Sequence, residues 1–92
     1  MYKVEISKKA LKELEKLPKE VVRKFRDKFS DLAENPYSVN GTKKLVNPKS
    51  LGIELEEVYR VRIGDYRAIY AIENEVLVIF IIKIAHRKEV YE

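Results

Sequence analysis

The sequence predicts a single α+β domain, in which an N-terminal strand and a two-helix hairpin pack against a β-sheet. Three observations carry this. Apolar and polar residues alternate at the start of the chain, apolar residues recur at helical spacing through the next stretch, and strand-like runs separated by Gly64-Asp65 and Asn74-Glu75 fill the second half. Ninety-two residues bury one two-layer core and no second one, so residues 1–92 read as one domain.

Tyr2-Lys3-Val4-Glu5-Ile6 has the alternation of a half-buried strand. Ser7 can cap a helix whose apolar stripe is Ala10, Leu11, Leu14 and Leu17, and Pro18 ends or restarts it. A second helix follows with Val22, Phe25, Phe29, Leu32 and Ala33 inward, and Asn35-Pro36 stops it. Both stripes read as core, and the lysines and glutamates between them as solvated faces. Residues 35 to 53 hold two of the three prolines and two of the three glycines, and read as a long surface loop containing Lys43 and Lys44. Three strands complete the chain, roughly 57 to 63, 66 to 73 and 76 to 84. The last is apolar almost throughout, the pattern of a strand covered on both faces, which makes it the expected centre of the sheet.

Composition excludes several kinds of chemistry. Without cysteine there is neither a disulfide framework nor a thiolate metal site, and one histidine cannot supply a multi-histidine cage. No metal site is expected. The longest apolar run, 76 to 82, is too short to cross a bilayer, so no membrane partner and a cytoplasmic location are expected. A formal charge of +4 favours acidic partners. No glycine-rich phosphate loop, nucleophile elbow or acidic cluster with metal spacing is present.

The strongest functional signal is the run from Tyr59 to Tyr70, which carries three of the six arginines. Arg60 and Arg62 lie two apart on one strand face, about 7 Å from each other, and a two-residue turn at Gly64-Asp65 sets Arg67 across from Arg62. Like charges placed opposite one another destabilise a sheet, so the patch makes most sense with a polyanion completing it. Arginine outnumbers lysine only in this half of the chain, and its planar fork suits phosphate. The same alternation sends Tyr59, Val61, Ile63, Tyr66, Ala68, Tyr70 and Ile72 to the helix side. It puts Ile69, Val78, Phe80 and Ile82 beside the arginines, as a part-apolar concavity rimmed by positive charge.

The ending His86-Arg87-Lys88-Glu89-Val90-Tyr91 supplies the remaining reactive groups. RNA can be cut without metal when its 2′-hydroxyl attacks the adjacent phosphate, given a base, an acid and cations around the phosphorane. Arginine stays protonated, so Arg60, Arg62, Arg67 and Arg87 are stabilisers and clamps. His86, Tyr91 or a glutamate is left to move protons.

The 59–70 run, the apolar strand and the 86–91 ending together resemble the RelE/ParE superfamily of toxins, closer to RelE than to ParE. The resemblance spans nearly the whole chain, including Lys43-Lys44-Leu45. It implies a RelE-like fold with a curved, mainly antiparallel sheet. It also implies a type II toxin: a ribosome-dependent, metal-independent endoribonuclease with no cofactor, cutting messenger RNA in the A site and neutralised by a RelB-type antitoxin. Operator DNA would be met only through the antitoxin complex. By position, Arg60 and Arg62 fall where several bacterial members have lysines, Arg67 matches the arginine of the following strand, Arg87 the C-terminal arginine, and Tyr91 the tyrosine that stacks on or activates the substrate. Lys43, Lys44, Lys83 and Lys88 complete the expected RNA-binding set. The arginine pair removes a possible general base, and the segment from Val46 to Glu57 looks longer than usual. Two other readings stay open: a ParE-like inhibitor of DNA gyrase, and an RNA-binding module without catalysis.

Overall fold

The computed structural model describes residues 1–45 and 57–86. Their elements run β1 (Lys3–Ile6), α1 (Lys8–Glu15), α2 (Lys19–Glu34), β2 (Thr42–Lys44), β3 (Val58–Ile63), β4 (Tyr66–Glu73) and β5 (Val78–His86). The strands form one sheet in the order β1-β5-β4-β3-β2, with β1 parallel to β5 and every other pair antiparallel.

The start of α1 and the end of α2 have local causes. Ser7 caps α1, its hydroxyl accepting the Ala10 N–H at 3.0 Å. Asn35 stops α2 in extended backbone because Pro36 follows it. Phe25, Phe29 and Leu32 of α2, with Ala10 and Leu14 of α1, pack on Val61, Ile63, Ala68, Tyr70, Ile72, Ile79, Ile81 and Ile84. That is the sheet face expected to receive the helices.

Several sequence expectations change in the assembled sheet. The Lys43-Lys44 stretch is an edge strand, β2, rather than loop; three residues are too few to show an alternation. The centre is β4, not the apolar β5, because β2 extends the sheet beyond β3 while β1 closes it on the other side. β5 still has a strand on each side, and its helix-side residues Ile79, Ile81 and Ile84 are buried while Val78, Phe80 and Ile82 on the other face are half-buried. Its start moves to Val78, since the β4–β5 turn takes in Val76 and Leu77 as well as Asn74 and Glu75, and its end moves to His86. Leu77 adopts a left-handed backbone, φ 53°, and its carbonyl accepts the Lys3 N–H at 2.8 Å, which starts the parallel ladder. Leu11 is not core: it is 48% exposed.

One irregularity matters for the site. Ile69 pairs with Lys83 but Tyr70 with Ile81, so Ile82 is an extra residue, a β-bulge. Ser7 holds it, with its hydroxyl donating to the Ile82 carbonyl at 2.8 Å and its N–H to the Ile81 carbonyl at 2.9 Å. Farther along, where β1 has ended, Glu13 Oε1 accepts the Ile84 N–H at 3.0 Å.

The opposite end of the sheet is closed by tyrosines. Tyr2 and Tyr37 donate to the Asn74 side chain at 2.6 and 3.0 Å, and the Tyr59 and Tyr70 rings stack with centroids 5.8 Å apart. Tyr70 is fully buried and donates to the Pro36 carbonyl at 2.9 Å. Burial, the largest cause, pushes its pKa up to about 12 from 10.0, against a smaller opposing pull from Thr42. The unfolded chain therefore gives up this proton near its ordinary value while the fold keeps it. The stability involved is complete below pH 10.0 and drains away as pH rises towards about 12. Urea midpoints taken across that range should fall less steeply for Tyr70→Phe than for the parent chain. Parallel curves would show that Tyr70 is not the group responsible.

Candidate nucleic-acid interface

The register places the cations in two rows across the face away from the helices. Lys43 of β2 faces Arg60 of β3, which faces Ile69 of β4, which faces Lys83 of β5. Two residues along, Arg62 faces Arg67, which faces Ala85. With strands about 4.8 Å apart, five cationic positions span roughly 15 Å of sheet. Arg62 lies across from Arg67, as the two-residue turn requires, and Gly64 takes the left-handed φ of 60° that this turn needs.

The three hairpin arginines differ in environment. Arg62 is exposed, Arg67 is half-buried, and Arg60 is only 6% exposed. Burial lowers the pKa of the Arg60 guanidinium from the ordinary arginine value, though arginine remains charged at any physiological pH. Its NH1 donates to the Gly41 carbonyl at 2.8 Å.

The expected apolar concavity is closed in part: Ile69 is buried, while Val78, Phe80 and Ile82 stay half-buried. Leu45, Val58, Ile69, Ala71 and Ala85 form a second cluster on this face, and all are buried, with Ile82 packed against them. Further open apolar surface lies elsewhere, in a groove of about 540 Å³ between the helices, where Ile6, Leu11, Leu14 and Val22 line the walls and Lys19, Arg23 and Arg26 stand with Glu15.

Two of the expected site residues turn away from the rows. Lys44 pairs with Tyr59, on the helix side, so only Lys43 of that pair shares the arginine face. His86 pairs with Tyr66 and packs edge-on against its ring, with centroids 5.4 Å apart, again on the helix side. The bulge is the cause. Unbroken alternation from Val78 through Phe80 and Ile82 would bring His86 to the arginine face, but the extra residue reverses the order and delivers Lys83 and Ala85 instead. Arg87, Lys88 and Tyr91 lie outside the described residues.

Lys24 and Lys28 of α2, read from sequence as solvated, line a groove of about 420 Å³ with Asp27, Asp31, Arg62 and Gly64. Their i, i+4 spacing was legible, but nothing local connects them to Arg62. Among the described residues no three His, Asp or Glu side chains gather as metal ligands would, and no helix is long and apolar enough to cross a membrane.

Comparison with known proteins agrees with this architecture. The family described as ParE toxin of type II toxin-antitoxin system, parDE, matches residues 4–91. A chain named RelE1 from Methanocaldococcus jannaschii is 36% identical over 91 residues, covering 99% of this chain and 96% of its own length. Toxin RelG from Mycobacterium tuberculosis is 30% identical over 91 residues, covering 98% of this chain and 95% of its own. Among solved structures, the archaeal RelE-RelB complex from Pyrococcus horikoshii OT3 superposes with a TM-score of 0.79 at 33% identity, over 97% of this chain and 98% of the other. Sequence, sheet order and helix packing thus lead to one conclusion: the chain belongs to the RelE/ParE superfamily of type II toxin-antitoxin toxins, closer to RelE than to ParE.

Proposed function

We propose that this toxin is an endoribonuclease that cuts messenger RNA on the ribosome, in the cytoplasm, without a metal ion or cofactor. The observation that carries the reading is the pair of cationic rows, with Arg62 exposed and set directly across from Arg67. In the proposed reaction the 2′-hydroxyl of the message attacks its neighbouring phosphate, and the 5′-oxygen of the next nucleotide leaves. Arg62 and Arg67 meet the charge that develops on the phosphorane oxygens, and Lys43 and Lys83 hold the flanking backbone. The ribosome supplies the orientation that one small sheet face cannot. A RelB-type antitoxin is the proposed partner, as in the RelE-RelB complex of Pyrococcus horikoshii. The helix groove suits one of its segments, because three cations against a single glutamate beside apolar walls favour an acidic amphipathic chain.

Incubation with ribosomes programmed with a defined message tests the proposal, with cleavage at the A-site codon as the expected result. Intact message at saturating toxin would refute it. The family match carries the ParE name, which supports gyrase inhibition as a second reading. Loss of supercoiling activity with no cut message would establish that alternative.

Tyr91 matters more to cleavage than His86, because His86 packs on Tyr66 away from the arginines. Base stacking on an aromatic side chain contributes about 1 to 3 kcal/mol, so Tyr91→Ala should slow single-turnover cleavage at least several-fold. His86→Gln should stay near the parent rate. The reverse ranking, with the pH dependence abolished in His86→Gln, would make histidine the acid or base.

A further inference from the structure

Arg60 occupies the cationic rows yet is buried, and its guanidinium bonds the carbonyl of a turn glycine. The Gly41 carbonyl that accepts from Arg60 NH1 at 2.8 Å also accepts the backbone N–H of Arg62 at 3.2 Å. Gly41 has φ +88°, and a Cβ placed on it would lie 3.4 Å from the Arg62 carbonyl oxygen and 3.6 Å from Arg62 Cβ. The backbone of Gly41 thus lies in van der Waals contact with Arg62, and its positive φ is one that glycine adopts without strain. Gly41 also leads into β2, whose Lys43 pairs with Arg60 itself. A single carbonyl therefore ties together the buried guanidinium, the exposed arginine and the start of the strand bearing the row's first lysine.

We propose that Arg60 is a positioning residue, which pins Gly41 against the backbone of Arg62 and so aims Arg62 at the RNA, without itself meeting a phosphate. This rests on the reading of the face as an RNA-cleaving site. It separates the two neighbouring arginines by role: Arg62 touches substrate, and Arg60 acts through it. A phosphate oxygen could reach Arg60 only through a side chain that is 6% exposed.

The test uses Arg60→Met and Gly41→Ala in the full chain, the second removing no charge. Amide hydrogen exchange at Arg62 needs no nuclease activity and should accelerate at least tenfold in both variants, while the Ile72 amide, bonded to the Glu57 carbonyl, keeps its rate. Single-turnover cleavage on programmed ribosomes should slow by about 10- to 100-fold in each variant, the range over which a displaced catalytic group costs rate. Adding Arg60→Met to Arg62→Met should then cost less than a further twofold. Salt dependence of binding to single-stranded RNA supplies the third arm: removing a side chain that neutralises one phosphate lowers the log–log slope by about 0.7. Arg60→Met should leave the slope of the Arg62→Met background unchanged.

A further fall of that size, or rate effects that multiply, would make Arg60 a direct phosphate ligand and overturn the proposal. An Arg62 amide exchanging at the parent rate in Arg60→Met would overturn it too. If the parent chain cuts no message, the nuclease reading fails and the exchange result alone decides this one. If Arg60→Met does not fold, Gly41→Ala decides by the same measurements, and parent-like exchange and cleavage in that variant would refute the positioning role.

Discussion

Arg67→Ala is expected to slow ribosome-dependent cleavage by about 100- to 1,000-fold, or about 3 to 4 kcal/mol, the usual cost of removing a group that meets transition-state charge. Arg67 is central to its row, between Arg62 of β3 and Ala85 of β5, and half-buried, so its guanidinium is held more rigidly than a fully solvated one. Charge so placed acts most strongly where water is partly excluded. The effect should appear in the single-turnover rate at saturating toxin, because stabilisation confined to the transition state raises the rate without strengthening ground-state binding to the same degree. Lys12→Ala, on the exposed side of α1, is the matched charge removal and should leave cleavage at the parent level. Equal rates for the two variants would remove Arg67 from the site.

The largest stability effect is expected at Phe25. Its ring is fully buried, 5.9 Å from Phe29 and 6.5 Å from Tyr66, so it joins α2 to the arginine hairpin from the helix side. Phe25→Ala should cost about 3 to 5 kcal/mol, through the forfeited transfer energy and the cavity left behind. Against a total of about 5 to 15 kcal/mol for a domain, that is a large fraction. Leu11→Ala is the useful contrast, because Leu11 belongs to the other helix's apolar stripe yet is 48% exposed. Its unfolding midpoint in urea should barely move, as for most surface substitutions. A Phe25→Ala midpoint close to the parent's would mean that the helices do not depend on this ring.

Local sequence determined the elements whose causes are local. Ser7, Pro18 and Asn35-Pro36 mark helix boundaries because capping and proline sterics act within a few residues. Gly64-Asp65 fixes the pairing of Arg62 with Arg67 because a two-residue turn leaves no freedom of register, and strict alternation then sends the tyrosines and Ala68 to the helices. Family membership was legible for the same reason, since the hairpin and the C-terminal ending are short contiguous runs. Tertiary structure decided what depends on distant partners. β1 pairs in parallel with a strand more than seventy residues away, and β2 exists only because β3 offers it an edge, which together move the centre of the sheet to β4. The bulge at Ile82, held by Ser7 from across the sheet edge, turns His86 to the helix side and brings Lys83 to the arginines. The Gly41 carbonyl separates Arg60 from Arg62, two residues that the sequence presents as equivalent. Alternation along a strand assigns a side chain to a face; only the neighbours that arrive from elsewhere in the chain decide whether it reaches solvent there.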